Sequence, residues 1–414
     1  MENSKNTKYK IIFIIIYFIL ILTAEFFYRD PLFDHSISIA KKLQDKLSFS
    51  KEIFKYYTYL GVLDFFWVFL VFLFFPISYC YTFFLNVILS VHLCNYIKLL
   101  YGDGRPFLIN DKDAEKIRLV CEPGYGNPSG HSFESTSIFL GFSQLIIDYW
   151  QLGITPSIFI YIAVTILVLL INLSRVILGA HALNQVIYGD TLGFTIYFII
   201  FQIIKPHKQD ANKFFQTFLK IKYHILNTFL FIIVLTYIIL GDILFDREND
   251  NKYEEYKQKL IKYCNTKENR MLNRDAIFKS LYITGYFGMN IGLTLLTKII
   301  KKNYYSKFYD ANNYHINTNK KCRIKYGYRL LFLSISFIPY STIFLKPNNI
   351  NIKILYIICS GIPMFIFGFF LFGPNIIFNI LLNVANIELY MPILKNERIN
   401  SEVNFGDDEM FDLY

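Results

Sequence analysis

The stretch from Ser174 to Gln185 reads Ser-Arg-Val-Ile-Leu-Gly-Ala-His-Ala-Leu-Asn-Gln and joins two long apolar segments. The first segment runs from Ile158 to Leu173 and the second from Val186 to Ile204. Arg175 at the centre of a span would cost about 2.5–3.5 kcal/mol on insertion scales, so the residue is expected at a membrane face. A guanidinium followed closely by an imidazole suits an anionic ligand such as phosphate. A snorkelling arginine and a helix-capping histidine would be the purely structural explanation.

The composition of the whole chain is that of a membrane protein. Its 414 residues are 54% apolar and 19% aromatic, and the mean hydropathy is +0.35. This is too apolar for a soluble fold of this length. The net charge of +10 is concentrated in a few loops between apolar runs, which indicates membrane topology rather than nucleic-acid binding. No dinucleotide-binding motif or cysteine–histidine metal spacing occurs, so neither a metal nor a cofactor is expected.

The apolar runs predict an all-α, polytopic transmembrane helical bundle of about nine to ten spans. The first run is interpreted as an uncleaved signal-anchor helix, although a cleaved signal peptide is the alternative. The polar segment Arg29–Tyr57 is expected to lie along the membrane surface. The expected spans are Ile11–Thr23 (extendable to Tyr28), Leu60–Ser78, Tyr79–Ile97, His131–Tyr149, Ile158–Leu173, Val186–Ile204, Ile225–Phe245, Ile277–Ile299, Leu330–Leu345 and Ile354–Leu382.

Charge in the loops gives the orientation of the bundle. Lysines and arginines follow the spans that end at Ile204 and Ile299, and lysines precede the first span. The positive-inside rule places these segments in the cytosol. Alternation then puts Lys98–His131, Ser174–His181 and Asp246–Asp275 on the opposite, luminal side.

Composition also divides the chain into three parts. We expect an N-terminal anchor and surface segment over residues 1–57, a transmembrane catalytic domain over 58–385 and an acidic tail over 386–414.

Three short motifs share the predicted luminal side. They bring three cations, two histidines and the start of a helix to one membrane face. Backbone N–H groups at a helix N-terminus favour a phosphate, and lysine and arginine complete the cradle. The motifs are Lys98-x6-Arg105-Pro106, Pro128-Ser129-Gly130-His131 and Ser174-Arg175-x5-His181.

Together these motifs resemble the three-part signature of the phosphatidic-acid-phosphatase type 2 superfamily. That signature usually has an aspartate four residues after the second histidine, whereas this chain has Gln185. Gln185, with Cys-Glu-x-Gly-x-Gly-x-Pro-Ser-Gly-His over Cys121–His131, resembles the glucose-6-phosphatase catalytic subunit branch.

The resemblance implies a role for each motif residue. His181 would be the nucleophile that forms a phosphohistidine, and His131 the acid that protonates the leaving alkoxide. Gln185 could accept a hydrogen bond from His181 and set its tautomer. The phosphoryl oxygens would be held by Lys98, Arg105, Ser129, Gly130 and Arg175.

The resemblance favours an integral-membrane phosphomonoesterase of the endoplasmic reticulum that hydrolyses glucose 6-phosphate with its active site in the lumen. Its partners would be a phosphorylated small-molecule substrate, the lipid bilayer and a sugar-phosphate transporter, and no nucleic acid. Two alternatives stay open. One is a lipid phosphatase acting on phosphatidate, a sphingoid-base phosphate or a polyprenyl diphosphate. The other is a non-catalytic protein that binds a phosphate-containing ligand.

Cysteine placement allows one disulfide. Of six cysteines, only Cys121 and Cys264 fall in predicted luminal loops, where disulfides persist. A bridge would tie the Asp246–Asp275 loop over the segment that leads to His131. Two unpaired thiols on the same side are the alternative.

Overall fold

The structure, a computed structural model, describes the backbone of most of the chain. Side chains are described over the same ranges except residues 2–5, 51, 207, 251–252, 274–275, 299–308 and 357–358. The described ranges are 2–46, 51–61, 63–75, 77–109, 118–122, 124–208, 251–264, 274–308, 330–341 and 357–373, with isolated positions between 220 and 232.

The described residues are helical and contain no strand, which confirms the predicted all-α class. In chain order the helices are α1 (Glu2–Lys46), α2 (Lys51–Leu60), α3 (Asp64–Phe74), α4 (Ile77–Tyr101), α5 (Pro106–Ile109), α6 (Gly130–Trp150), α7 (Ile154–Ile177), α8 (Leu183–Tyr197, continued as a π-helix over Phe198–Ile204), α9 (Asn251–Cys264), α10 (Arg274–Ser280), α11 (Thr284–Phe308), α12 (Leu330–Ser341) and α13 (Ile362–Phe372).

Within these ranges, four helices are long and apolar enough to cross a membrane, or five if the bent pair α2–α3 counts as one span. The expected span Ile225–Phe245 lies almost wholly outside the described residues, and parts of the last two do as well. The expected span His131–Tyr149 coincides with α6, which is more polar and largely buried among its neighbours. The chain is therefore a multi-pass helical bundle.

The N-terminal part differs from the sequence expectation. Instead of a short anchor followed by a surface segment, α1 is one helix of 45 residues that continues through Pro31 to Lys46. It packs along α8, where the Ser36 hydroxyl accepts a hydrogen bond from the Leu183 amide (2.7 Å). The polar side chains of Arg29–Tyr57 suggested a surface position. The sequence alone does not show that such a side chain has a polar partner inside the bundle, as Ser36 does.

The next two spans also begin and end at different residues. The expected Leu60–Ser78 span is the helix pair α2–α3, bent by 50° at the break before Asp64. Gly61 lies at that break, where an added Cβ would be 3.2 Å from Cδ2 of His131. The bend therefore brings the chain against the candidate site.

Helix α6 is central, between α4, α7 and α8. Its closest neighbour is α8, because Gly189 and Gly193 allow the two backbones to touch. A Cβ at Gly189 would be 2.7 Å from the Ser129 carbonyl oxygen, and one at Gly193 would overlap the Phe133 carbonyl oxygen. Small residues four apart are a common device for close helix packing in membranes. This contact fixes the position of the start of α6 relative to the start of α8.

Lysine side chains lie at one end of the bundle, and the motif residues lie at the other. At one end Lys10 donates to Gln202 (3.4 Å) and Lys208 pairs with Asp148 (2.6 Å). The start of α8 lies at the other end, together with the start of α6 and the ends of α4 and α7. The 22 residues from Leu183 to Ile204 correspond to about 33 Å of helix at ~1.5 Å per residue, enough to cross the hydrocarbon core.

Candidate active site

The structure brings all the motif residues selected from the sequence to one end of the bundle. Each stands at the end of a helix or in the turn next to it, since a buried charge is best accommodated near the membrane face. Lys98 is in the last turn of α4, Arg105 precedes α5, Ser129 caps α6, Gly130 and His131 begin α6, Arg175 is in the last turn of α7, His181 lies in the turn before α8, and Gln185 is in the first turn of α8.

The start of α6 is a preorganised N-terminus. The Ser129 hydroxyl accepts from the Ser132 amide (3.4 Å), and the Ser129 amide donates to the Gln185 carbonyl (2.9 Å). Lys98 approaches the backbone here, since a Cβ added to Gly130 would lie 3.1 Å from Nζ. Glycine at 130 therefore lets this ammonium lie close to the backbone at the start of α6.

Arg105 is fixed by its neighbours and is only 4% exposed. Its Nε donates to the Gly124 carbonyl (3.1 Å) and its Nη1 to the Ala180 carbonyl (3.0 Å). The same Nη1 also contacts Nε2 of His181 (3.1 Å). The guanidinium therefore joins the first and third motifs directly.

Arg175 is completely buried. Its Nη1 donates to the Thr58 hydroxyl (3.2 Å), and its Nη2 to Glu122 (2.6 Å). Its Nε is buried and has no hydrogen-bond partner among the described residues. A buried donor without a partner is costly, so this atom marks a position where an anion would be stabilising.

Glu122 bridges the two arginines. One carboxylate oxygen lies 2.6 Å from Nη2 of Arg175 and the other 3.0 Å from Nη1 of Arg105. Burial raises the pKa of this carboxyl, but Arg175 and Arg105 outweigh the effect and hold its pKa well below the usual range. Glu122 thus stays ionised and keeps the two guanidiniums side by side.

The hydrogen bonds of His181 define its tautomer. Its Nδ1 lies 2.9 Å from the Gly126 carbonyl oxygen, which can only accept, so Nδ1 carries the proton. Its Nε2 faces the Arg105 guanidinium, which can only donate, so Nε2 holds a lone pair. Burial lowers the pKa of His181, and Arg105 and Arg175 lower it further. The imidazole is therefore neutral, with its basic nitrogen directed at the arginines.

The expected hydrogen bond between Gln185 and His181 was wrong. The side-chain oxygen Oε1 of Gln185 accepts from the Ala182 backbone amide (3.1 Å), and its Nε2 donates to the Gly104 carbonyl (3.0 Å). The acceptor for His181 is the backbone at Gly126 instead. Gln185 packs against Gly126, where a Cβ would be 2.6 Å from its amide nitrogen, so it supports that acceptor from behind.

Asp190 does not contact the histidines. Its two oxygens accept from Thr136 (2.6 Å) and Asn172 (2.5 Å). It therefore links α6, α7 and α8, and does not replace the aspartate that the superfamily signature has at position 185.

A cavity of about 200 Å³ opens between the motifs. Its lining includes both histidines and two of the motif cations, Lys98 and Arg105, and also side chains of α4, α6 and α10. The lining residues are Asn95, Lys98, Arg105, Glu122, Gly124, Tyr125, Gly130, His131, Glu134, His181, Ala276 and Lys279.

Cys121 and Cys264 form a disulfide, with their Cα atoms 5.7 Å apart. This confirms the pairing that the sequence allowed. The expected Asp246–Asp275 loop contains helix α9, whose Tyr253 and Leu260 pack on Phe107 and Leu108 of α5. Helix α9 is thus fastened beside the segment that carries Arg105 and Glu122.

Sequence reasoning missed Glu122 and Lys279 as site residues. Glu122 stands inside the Cys121–His131 motif. The available signal was a charged residue that follows a cysteine and precedes two glycines. Lys279 had none, because it lies in another part of the chain and reaches the cavity only through the packing of α10 on α4.

Comparison with known proteins agrees with this geometry. Over 82 residues the chain is 27% identical to phosphatidylglycerophosphatase B of Bacillus subtilis (strain 168), an alignment that covers 20% of this chain and 40% of that relative. No solved structure gives a significant match. Neither finding singles out the glucose-6-phosphatase branch. Residues 75–209, which hold all eight motif residues selected from the sequence, match the model of the PAP2 superfamily.

Proposed function

We propose that this chain is an integral-membrane phosphatase that cleaves a phosphate monoester through a phosphohistidine at His181. The observation that carries the proposal is the neutral His181 ring, whose Nε2 lone pair faces Arg105 (3.1 Å) while Nδ1 donates to Gly126. A neutral imidazole of fixed tautomer beside two guanidiniums suits attack on a phosphoryl group.

In the first step Nε2 of His181 forms a bond to phosphorus as the bond to the ester oxygen breaks. The departing oxygen takes a proton from His131, so no free alkoxide is released. The negative charge of the bound phosphate ester favours the imidazolium form of His131 that this step needs. Arg105, Arg175, Lys98 and the amides at the start of α6 offset the charge on the other phosphoryl oxygens.

In the second step a water attacks the phosphohistidine. His131, now neutral, takes a proton from that water, the phosphorus–nitrogen bond breaks, and inorganic phosphate leaves. His181 regains its lone pair and His131 its proton. The buried Nε of Arg175 has no hydrogen-bond partner among the residues that the structure describes. It supports this assignment, because a phosphoryl oxygen that reached it would supply an acceptor.

A lipid phosphate is the substrate class with the stronger support. The relative in B. subtilis is a phosphatidylglycerophosphatase by name, and the site lies at the end of membrane-crossing helices where a lipid headgroup would be. Phosphatidylglycerophosphate is therefore the first substrate to test.

Glucose 6-phosphate is the second candidate. The Cys121–His131 sequence and Gln185 favour it, whereas the comparisons lend it no support. Three further expectations remain proposals, because they depend on this candidate or on the charge of the loops. They are a sugar-phosphate transporter as partner, the endoplasmic reticulum as location and an active site in the lumen. The division of the chain at residues 57 and 385 likewise remains a prediction.

The proposal is tested by phosphate release from purified protein in lipid nanodiscs. We expect hydrolysis of phosphatidylglycerophosphate, loss of that hydrolysis in His181→Asn, and full activity in Glu52→Gln, an exposed residue on α2. Binding of phosphate esters without His181-dependent hydrolysis would instead support a non-catalytic phosphate-binding protein and overturn the proposal.

A further inference from the structure

The cavity is larger than a phosphate group needs. Its volume is about 200 Å³, whereas one water occupies about 10–15 Å³ by the same kind of measure. The space beyond the motif residues adjoins His131, because Glu134, one turn further along the same helix, lines the same cavity. Because nucleophile and leaving group stand roughly in line in phosphoryl transfer, that space belongs to the alcohol that departs.

The wall around this space is polar. Glu134 lies one helical turn beyond His131 on the same face of α6 and is only 4% exposed. Asn95 of α4 is 3% exposed, and Lys279 of α10 completes the wall. Ala276 is the one small apolar residue on this wall among the described lining residues.

The wall contains both acceptors and donors. The Glu134 carboxyl group can accept hydrogen bonds, and the Lys279 ammonium group, which lines the same cavity, can donate them. The wall can thus both accept and donate hydrogen bonds.

An apolar leaving group would be a poor fit here. Pressing hydrocarbon against Glu134, Asn95 and Lys279 would remove their water without replacing its hydrogen bonds, which is costly for charged groups. Hydroxyl groups would replace those bonds, since an O–H can donate to a carboxylate and accept from an ammonium.

We infer that Asn95, Glu134 and Lys279 form a subsite for a leaving group that carries a free hydroxyl near the phosphate ester. The inference rests on the proposed phosphatase function and narrows its substrate class. Two sources share this chemistry, the glycerol phosphate headgroup of a lipid and a soluble sugar phosphate. Phosphatidate lacks it, because both neighbouring oxygens of its glycerol are acylated.

The subsite is not part of the general signature of the matched region. Lys279 lies outside residues 75–209, and α10 reaches the cavity by packing on α4. The preference for the leaving group is therefore set by the part of the chain that follows the matched region.

Four substrates test the inference in pairs, using the full-length protein in nanodiscs. The lipid pair is phosphatidylglycerophosphate and phosphatidate, and the soluble pair is glucose 6-phosphate and hexyl phosphate. In each pair we expect kcat/KM to favour the hydroxyl-bearing member by about 10–100-fold, the range expected for one or two hydrogen bonds to charged groups. Which pair is faster overall distinguishes the lipid source from the soluble one.

Glu134→Gln and Lys279→Met should each reduce that preference at least about tenfold, while the matched control Glu52→Gln should leave it unchanged. If Glu134→Gln fails to fold, as judged by its melting transition, Lys279→Met alone decides. Equal rates within each pair, or a preference that both variants retain, would overturn the subsite. Absence of His181-dependent hydrolysis for all four substrates would overturn the proposed function instead.

Discussion

At the scale of single residues, the two histidines differ in what surrounds them. His181 is held at both nitrogens, by Gly126 and Arg105, whereas His131 stands at the start of α6 beside the bend at Gly61. This asymmetry agrees with a fixed nucleophile and a separate proton donor.

We expect His181→Ala to abolish both phosphate release and covalent labelling, and His131→Ala to slow formation of the phosphoenzyme by about 10²–10⁴-fold, the usual worth of general-acid assistance. Rapid quench with ³²P-labelled substrate measures both. Label retained on the His181→Ala protein would assign the nucleophile elsewhere.

The protonation state of His181 gives a second prediction. Burial and the adjacent arginines lower its pKa, so its Nε2 should stay unprotonated as the pH falls through about 6.5, the ordinary value for histidine. Selective ¹⁵N-histidine labelling should show a neutral, Nδ1-protonated ring below that pH, with His181→Asn identifying the signal. Protonation at or above pH 6.5 would contradict the geometry.

The amino-acid sequence was most informative at this scale. Charged residues at the ends of apolar runs are expensive unless they face a ligand or each other, so Lys98, Arg105 and Arg175 could be selected from the sequence alone. Glu122 and Lys279 could not, because their roles depend on contacts between segments that are distant in the chain.

At the scale of elements, the site depends on how closely α6 and α8 approach. A methyl group at Gly193 would overlap the Phe133 carbonyl oxygen, and backbone cannot move aside as a flexible side chain can. The helices would have to separate, which would shift His131 relative to His181.

We therefore expect Gly193→Ala to lower kcat/KM at least about 100-fold, as small misplacements of reacting groups do, and to lower the melting temperature. Gly153→Ala is the matched control, because a Cβ there meets nothing within 4 Å. Normal activity of Gly193→Ala would show that the helix contact does not set the site.

Element boundaries were predicted less well than element type. The length of α1 and the break before Asp64 were both missed. Polar residues within α1 looked like a surface segment, because the sequence does not show partners such as the Leu183 amide, which donates to Ser36. The bend in α2–α3 lies at Gly61, where an added Cβ would be 3.2 Å from His131 of α6 and 3.3 Å from Ile171 of α7. Hydrophobic patterning reports which face is apolar, not which neighbour will bend a helix.

At the scale of the whole molecule, lysines mark the end of the bundle that lies away from the site. Lys10, Lys205 and Lys208 lie at the end away from His181, and α8 is long enough to put a membrane between them. The disulfide at Cys121–Cys264 lies at the same end as the site, and disulfides persist on the non-cytosolic side.

We expect the site to face away from the cytosol. In sealed vesicles whose cytosolic face points outward, an N-terminal epitope tag should be open to protease, while hydrolysis of impermeant glucose 6-phosphate or hexyl phosphate should remain low until the vesicles are permeabilised. The positive-inside rule and the redox chemistry of the disulfide each favour this arrangement. A disulfide that an impermeant reductant opens in the intact vesicles, together with full activity there, would place the site on the cytosolic side.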